Sequence, residues 1–332
     1  MTRFRTAVEL TKSSHSISHK SKLLLAGSCF AENIGTRLAE RKFDIGINPF
    51  GVLYNPLSIS TMLMRVIEGE LFSATSPEIV EHNGKWHSML HHGDFSRNTK
   101  EELLDAINHS INLIHSRVNG CDTVILTFGT AYAYIFNKNN AVAGNCHKLP
   151  AKEFTRRLLS IEEIVDSTSA VIERYRKANP NIRFIFTVSP IRHLRDGAHD
   201  NQKSKATLLL AIDRIMSLYP DNTSYFPAYE IVLDELRDYR FYADDMVHPS
   251  PVAVEYIWEC FSKALFNENT QKLNEEIEAV LRATGHRPFD ATSDGYRNFL
   301  CNLLKKIEGF EEKYPYLNFD NERMRCNTLL NK

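Results

Sequence analysis

Short apolar runs alternate with helix-spaced apolar residues along the first 265 residues of the chain. Unbroken apolar runs are typical of strands that are buried on both faces of a parallel sheet. Runs of this kind lie at 23–26 and 123–128, with a shorter one at 225–226, and mainly apolar runs with one charged residue each lie at 43–47 and 182–188. The segments between them carry apolar residues three and four positions apart, which is typical of helices that cover a sheet. The pattern therefore predicts an α/β fold whose parallel sheet has helices on both faces.

Composition narrows the class of protein. The chain has 332 residues, of which 43% are hydrophobic, and a net charge of −1, so nothing resembles the basic surface of a nucleic-acid-binding protein. No apolar stretch approaches the roughly 20 residues that span a bilayer, and we expect neither a membrane partner nor a targeting segment. The six cysteines form no C-x-x-C pair, which favours reduced thiols and a cytoplasmic location.

The first apolar run ends at a Gly-Ser pair, and a helical pattern begins directly after it. Ser28 therefore lies at a helix N-terminus, where unpaired N–H groups and the helix dipole favour an attacking oxygen or an acyl oxyanion. We predict that Ser28 is a nucleophile. Serine is also a preferred N-cap residue, so a purely structural cap is the alternative. Cys29 is a less favoured nucleophile, because its thiolate would need stabilisation.

A second local pattern, Asp245-Met-Val-His248-Pro-Ser-Pro251, supplies the partners that a serine nucleophile needs. Ser250 and Pro251 are an N-cap and a first-turn proline, so His248 lies on a loop held just before a helix. An aspartate three residues before a histidine can bind one ring nitrogen and leave the other for a hydroxyl. We expect Asp245 to orient His248, and His248 to act as general base and then acid. His193 is the rival base.

These segments resemble a known family. Gly27-Ser-Cys-Phe-Ala31 is similar to the GSCFA signature, and residues 48–56, 187–197 and 245–248 are similar to other blocks of that family. The resemblance covers most of residues 1–265 and implies membership of the SGNH, or GDSL-type, hydrolase superfamily. It implies a three-layer α/β/α fold that cleaves or transfers acyl esters and needs no metal. We expect no cofactor.

The resemblance also implies an oxyanion hole. In SGNH relatives a glycine after the second strand donates its N–H to the oxyanion, and Gly51 looks like its counterpart; a turn glycine with positive φ is the alternative. The N–H of Ser28 is a second expected donor. In the relatives, the third donor to the oxyanion is an asparagine side chain, but this chain has Ala131 at that position. Gly129 or Thr130 is therefore the expected substitute. Loss of one donor costs on the order of 3 kcal/mol of transition-state stabilisation.

Residues 70–98 are predicted to form a hairpin inserted near the strand ends, where ligands bind in open α/β sheets. Trp86, His87 and His91 of this insertion are predicted substrate contacts, and the alternative is that they are surface residues. Asn48, at the start of the second family-like block, is another predicted contact. No second cluster of metal-ligand spacing accompanies the histidines, so we predict no metal site.

A cationic loop follows the strand at 182–188. Arg192, His193 and Arg195 suit an anionic or sugar-like edge of a substrate. The alternative is a solvated loop in which Asp196 pairs with these cations. Arg192 and His193 are therefore predicted substrate contacts.

From residue 267 the pattern changes to mostly polar helix, with one apolar stripe in each of two segments. It predicts a helical hairpin that packs on the core or on a second copy of the chain, with a partly disordered tail from Asn318 to Lys332. The expected domains are a hydrolase-like domain over 1–266 and a helical appendage over 267–332.

These observations predict a serine esterase that acts on an O-acyl ester through a Ser-Asp-His triad and an acyl-enzyme. The expected substrate is a small molecule or a glycan, including one of the cell envelope. Two other functions stay open. One is an O-acyltransferase of the same fold, and the other is a non-catalytic carbohydrate-binding protein with a degenerate oxyanion hole.

Overall fold

The computed structural model describes residues 5–12, 16–118, 120–286, 288–290 and 292–331. Its strands are β1 (Lys22–Gly27), β2 (Asp44–Ile47), β3 (Ile79–His82), β4 (Lys85–Ser88), β5 (Thr123–Phe128), β6 (Tyr132–Phe136), β7 (Ala141–Ala143), β8 (Phe154–Leu158), β9 (Arg183–Val188) and β10 (Thr223–Tyr225). Its helices are α1 (Cys29–Glu40), α2 (Pro56–Glu68), α3 (Lys100–Val118), α4 (Ile161–Ala178), α5 (Gly197–Leu218), α6 (Ala228–Glu230), α7 (Pro251–Leu265), α8 (Glu268–Gly285), α9 (Asp294–Lys313) and α10 (Asp320–Leu330).

The central sheet is parallel and has the strand order β10, β9, β5, β1, β2. Alternate side chains of each strand enter different cores. Val124 and Leu126 of β5 pack with helices α2 to α5, whereas Ile125 packs with α1 and α7 on the other face. The predicted three-layer α/β/α fold is therefore confirmed, and the carboxyl ends of the strands meet at one edge.

The helices that follow these strands begin where their capping residues predict. Ser28 caps α1, Asn55 precedes Pro56 at the start of α2, and Ser250 precedes Pro251 at the start of α7. Ser160 and Glu163 form a capping box that starts α4. Each cap satisfies an N–H group that the first helical turn leaves unpaired, and this fixes the loop just before the helix.

Two insertions leave the α/β framework. Strands β3 and β4 form the antiparallel hairpin predicted within 70–98. The second insertion, β6 to β8, is a three-stranded antiparallel sheet that follows β5 and was not predicted.

The C-terminal segment has an apolar cluster of its own. The two predicted helices are α8 and α9, and a third helix, α10, packs against both. The expectation of a partly disordered tail was wrong for residues 320–330, because Phe319 and Cys326 are fully buried in that cluster. Lys332, the last residue of the predicted tail, lies outside the described residues.

Among the described residues, no helix is long and apolar enough to cross a membrane. All six cysteines are free thiols.

Candidate active site

The turn from β1 into α1 leaves no room for a side chain at Gly27, beside the neighbouring strand β5. Gly27 has a φ of 137°, and a Cβ atom at this position would lie 2.2 Å from the carbonyl oxygen of Thr127 on β5. Its N–H donates to Asn48 Oδ1 over 2.9 Å. Because no L side chain fits this space, glycine is required just before Ser28.

Ser28 lies at the N-terminus of α1, as predicted, and is its N-cap, which was the structural alternative to a nucleophile. Its Oγ accepts from the N–H of Phe30 over 3.3 Å, and the residue is only 1% exposed. Within the described chain, the hydroxyl proton has no acceptor. Cys29 is the next residue and is partly exposed, and burial raises the pKa of its thiol.

Asp245 and His248 form the close pair that their spacing predicts. His248 Nδ1 lies 2.5 Å from Asp245 Oδ2, and Asp245 Oδ1 accepts from the backbone N–H groups of Val247 and His248 over 2.9 Å. These hydrogen bonds lower the pKa of Asp245 to about 2. Asp245 is therefore ionised at neutral pH and holds the ring with Nε2 free for another partner.

The loop that carries this pair is closed by backbone contacts. Ala243 N–H donates to the His248 carbonyl over 2.7 Å, and Tyr242 pairs with Pro249. Met246, at the tip of the loop, has a φ of 59°. The loop is thus anchored at both ends, with Ser250 and helix α7 behind it.

Ser28, Cys29 and His248 line the same cavity, which has a volume of about 580 Å³. It lies at the carboxyl edge of the central sheet. Along the part of the chain that the structure describes, no hydrogen bond joins Ser28 Oγ to His248. The predicted nucleophile and base therefore line one cavity without a hydrogen bond between them.

The structure does not bear out the prediction of four free oxyanion donors. The N–H group of each residue already donates a hydrogen bond to a backbone carbonyl. Ser28 N–H donates to Thr127 O over 3.2 Å, and Gly51 N–H donates to Asn48 O over 2.7 Å. The N–H groups of Gly129 and Thr130 both donate to Tyr54 O, over 2.7 and 3.0 Å.

Gly51 and Thr130 also have structural roles in the fold. Gly51 is a turn glycine with a φ of 75°, packed against His92, and does not line the cavity. The Thr130 hydroxyl lies 3.0 Å from Ser204 Oγ. Thr130 lines the cavity, but both its hydroxyl and its N–H group already have partners, so it is not the free donor that was predicted.

Trp86, His87 and His91 of the first insertion were predicted to contact the substrate, but none of them lines the cavity. His91 is fully buried and its ring stacks on Phe50 at 3.8 Å. His87 is held by Ser96 Oγ and the His82 carbonyl. The Trp86 ring is covered by the Lys100 ammonium.

Asn48 was also predicted to contact the substrate, and it does not line the cavity either. Its carbonyl oxygen atom Oδ1 braces the N–H of Gly27, and the residue is 8% exposed and lies outside the cavity wall. Asn48 braces the turn at Gly27 and Ser28, here called the nucleophile turn because it carries the predicted nucleophile, and Asn48 does not line the cavity.

The second insertion forms much of the cavity wall instead. Tyr132, Tyr134 and Arg156 face the cavity from β6 and β8, and Tyr54 faces it from the loop before α2. The alternating pattern of Tyr132-Ala-Tyr-Ile-Phe136, followed by an Asn-rich turn, is the signal that could have revealed this hairpin.

The cationic loop after β9 reaches the cavity as predicted. Arg192, His193, Arg195 and Asp196 all line it. Burial, with the nearby Lys205 and Arg156 charges, lowers the pKa of His193 to about 4. His193 is therefore neutral at pH 7, and its ring packs edge-on against Tyr54.

Lys205 on α5 lies beneath the same strand ends and was not predicted. It is 1% exposed, and its Nζ donates to Gly129 O over 2.6 Å and to Ser189 O over 2.7 Å. Burial lowers its pKa to about 7. A lysine in a long helical pattern gives no sign in the sequence that two strand-end carbonyls will surround it.

Among the described residues, no group of three His, Cys, Asp or Glu side chains is arranged to hold a metal ion. The absence of a metal and of a cofactor remains a prediction.

The chain matches the GSCFA family over residues 22–261 and the C-terminal domain of GSCFA domain proteins over residues 277–332. It is similar to a solved Streptococcus pneumoniae protein named for platelet activating factor, with 10% identity, a TM-score of 0.39, and coverage of 74% of this chain and 84% of that one. It is also similar to an acetyl xylan esterase from the rumen bacterium Butyrivibrio proteoclasticus, with 12% identity, a TM-score of 0.36, and coverage of 79% of this chain and 65% of that one. No curated protein matches the chain.

Proposed function

This chain belongs to the GSCFA family, and from that premise we propose that it is an ester hydrolase with Ser28 as nucleophile, His248 as general base and acid, and Asp245 as the residue that orients His248. The substrate class proposed is an O-acyl ester of a small molecule or a glycan. The observation that carries the proposal is the aspartate-held imidazole on the wall of the cavity that also exposes the α1 N-terminus.

In the proposed reaction, Ser28 Oγ attacks the ester carbonyl carbon while its proton passes to His248 Nε2. The ionised Asp245 stabilises the imidazolium that forms. The C–O bond of the ester then breaks, the departing alkoxide takes the proton from His248, and the acyl group stays on Ser28. Water attacks the acyl-enzyme with His248 as base, which releases the carboxylic acid and restores the serine.

Negative charge that develops on the carbonyl oxygen lies near the first turn of α1. The positive end of the α1 dipole favours an anion, while the N–H groups of Phe30 and Ala31 in that turn already donate to Ser28 Oγ and to the Ser28 carbonyl. Since the N–H groups of Ser28, Gly51, Gly129 and Thr130 are already bonded, this stabilisation rests on fewer donors than in the SGNH pattern. We therefore expect a modest kcat on simple esters. Catalytic groups often reach hydrogen-bond distance only when substrate binds, and we expect this of Ser28 and His248.

Cys29 is a second candidate for the nucleophile, favoured by one observation. Ser28 is 1% exposed and caps α1, whereas Cys29 is more exposed and lines the same cavity. Against it, burial raises the pKa of the Cys29 thiol, which disfavours the reactive thiolate.

Alanine substitution at the two positions separates these candidates. With 4-nitrophenyl acetate as substrate, we expect Ser28→Ala to lower kcat by roughly 10³-fold or more and Cys29→Ala to retain kcat within about threefold. A fluorophosphonate probe should label the wild type and the Cys29→Ala variant but not Ser28→Ala. Loss of turnover in Cys29→Ala but not in Ser28→Ala would assign the nucleophile to Cys29. The two variants make this distinction, because both residues lie on the same tryptic peptide, 23–37.

The same assay addresses the two other function classes. If the protein neither turns over the ester nor reacts with the probe, the enzyme proposal is wrong. Calorimetric binding of an oligosaccharide by such a protein would then assign it as a carbohydrate-binding protein of this fold. Faster release of nitrophenol on addition of an alcohol or sugar acceptor, with the acetylated acceptor as product, would assign the protein as a transferase.

The cellular compartment and the partners of the protein stay proposals. The six free thiols are in keeping with a reducing, cytoplasmic compartment. We propose no nucleic-acid or membrane partner. Pairing of two copies through the C-terminal helices also stays a prediction.

A further inference from the structure

The cavity wall opposite the nucleophile turn is rich in arginine. Arg156, Arg192 and Arg195 line it, and Asp196 is the one carboxylate among the described lining residues. The chain as a whole has a net charge of −1, so this positive wall is a local feature and not a reflection of composition. A concave site with one sign of charge concentrates ligands of the opposite sign.

Arg156 already forms an ion pair and a cation–π contact within the fold. It forms an ion pair with Asp196, whose side chain is only 5% exposed. Its guanidinium also lies 3.9 Å from the centroid of the Tyr132 ring. These contacts neutralise Arg156 and hold it against β6.

Arg192 and Arg195 have no such neutralising partner. Arg192 Nη1 lies 3.3 Å from the Tyr242 hydroxyl, and the Arg195 guanidinium lies 6.0 Å from the centroid of the Tyr134 ring. Within the described residues, neither arginine has a carboxylate within salt-bridge distance. Two uncompensated guanidinium groups therefore face a cavity of about 580 Å³ beside the nucleophile turn.

The loop that carries these two arginines is braced. The N–H of His193 donates to Asn201 Oδ1 over 3.0 Å, and the buried Asp196 anchors the far end of the loop to Arg156. Binding to guanidinium groups held in this way costs less ordering than binding to a mobile loop. Their planar donors match the paired oxygens of a carboxylate or a sulfate.

We propose that the ester substrate carries an anionic oxygen group, a carboxylate or a sulfate, which Arg192 and Arg195 bind while the ester lies at Ser28. The inference rests on the proposed function for the identity of the reaction. The positive wall itself makes a separate prediction, because it should bind an anion whether or not the ester is cleaved.

A matched pair of esters tests the proposal. 4-Acetoxybenzoate carries a carboxylate, and methyl 4-acetoxybenzoate is the same acetyl ester without the charge. We expect kcat/KM to favour the charged ester by about tenfold or more, and this ratio to fall toward one in the Arg192→Gln/Arg195→Gln double variant. 4-Acetoxybenzenesulfonate distinguishes a carboxylate preference from a sulfate preference.

A control variant and a binding measurement complete the test. Arg214→Gln removes an arginine from an exposed ion pair with Glu162 outside the cavity, and should leave the ratio unchanged. Calorimetry should detect tighter binding of 4-hydroxybenzoate than of 4-hydroxybenzamide to the wild type, but not to the double variant.

The outcomes are distinguishable. Binding of the anion without turnover of either ester would support the anionic subsite and reject the hydrolase function. Turnover of both esters at equal kcat/KM, with no anion preference in binding, would overturn the anionic subsite alone. A charge preference that persists in the double variant would overturn the assignment to these two arginines.

Discussion

At the scale of single residues, Gly27 is the position on which the nucleophile turn depends most directly. Its φ of 137° is accessible to glycine, and the Thr127 carbonyl occupies the place of a side chain. Gly27 is also held by Asn48, and its partner strand receives the N–H of Ser28. The direction of Ser28 is therefore set by backbone geometry that no other residue could adopt without moving β1 away from β5.

Gly27→Ala tests this dependence. We expect it to lower the free energy of unfolding by about 2–4 kcal/mol, because backbone strain and a backbone clash act together, and to reduce ester hydrolysis in the protein that still folds. Gly84→Ala is the matched control, since Gly84 has a φ of 72° with open space around it. It should cost only about 1 kcal/mol from strain alone. Urea denaturation measures both, and equal costs would contradict the close-approach argument.

At the scale of elements, helix α5 joins the ends of two central strands through one buried lysine. Lys205 Nζ binds the carbonyls of Gly129, after β5, and Ser189, after β9. Both carbonyls belong to segments that lead directly into the cavity wall. The lysine therefore sets the spacing of these segments, and its burial makes that function pH-dependent.

The sign of this pH dependence follows from the lowered pKa. The folded value is about 7, against an ordinary value of 10.5, so the unfolded chain binds more protons between these two pH values. The cost of burying Lys205 is fully present below pH 7 and disappears as the pH rises to 10.5. Relative to Lys205→Met, we expect the wild type to gain several kcal/mol, on the order of 4, between pH 7 and pH 10.

Urea denaturation of the two proteins across this pH range measures that gain, and Lys203→Met is the control. Lys203 lies on the same helix in an exposed pair with Asp200 and should give a flat difference within about 0.5 kcal/mol. A Lys205→Met difference that is also flat would show that the lysine titrates as it does in the unfolded chain.

The elements also show why part of the site could be predicted from the sequence. Ser28 and the Asp245 to His248 loop are defined by residues adjacent in the chain, so capping rules and short spacings were enough. The partners of the Ser28, Gly51 and Gly129 N–H groups depend on strand register and on the position of Tyr54, which no local pattern contains. His91 likewise entered an aromatic cluster with Phe50 from a different segment.

At the scale of the whole molecule, the C-terminal helices are attached far from the cavity. Helix α1 begins at the strand ends beside Ser28 and runs about 18 Å, at 1.5 Å per residue, to its other end. There Arg41 pairs with Glu278 of α8 over 2.6 Å, and Lys42 pairs with Glu322 of α10 over 2.7 Å. The described residues that line the cavity all precede Pro249. The C-terminal helices therefore lie at the far end of α1, and we expect them to contribute to stability and not to ester hydrolysis.

Lys42→Met separates these two contributions. The side chains of Lys42 and Glu322 are 10% and 11% exposed, so loss of the lysine leaves a largely buried carboxylate without its partner and should lower the free energy of unfolding by about 2–4 kcal/mol. The kcat/KM on 4-nitrophenyl acetate should stay within about twofold of wild type, because the pair lies a full helix length from Ser28. Arg37→Met is the control, since it breaks a pair with the half-exposed Glu255 and should cost about 1 kcal/mol or less. If Lys42→Met instead lowered kcat in fully folded protein, the C-terminal helices would have to influence the active site through α1, and their separation from the chemistry would be refuted.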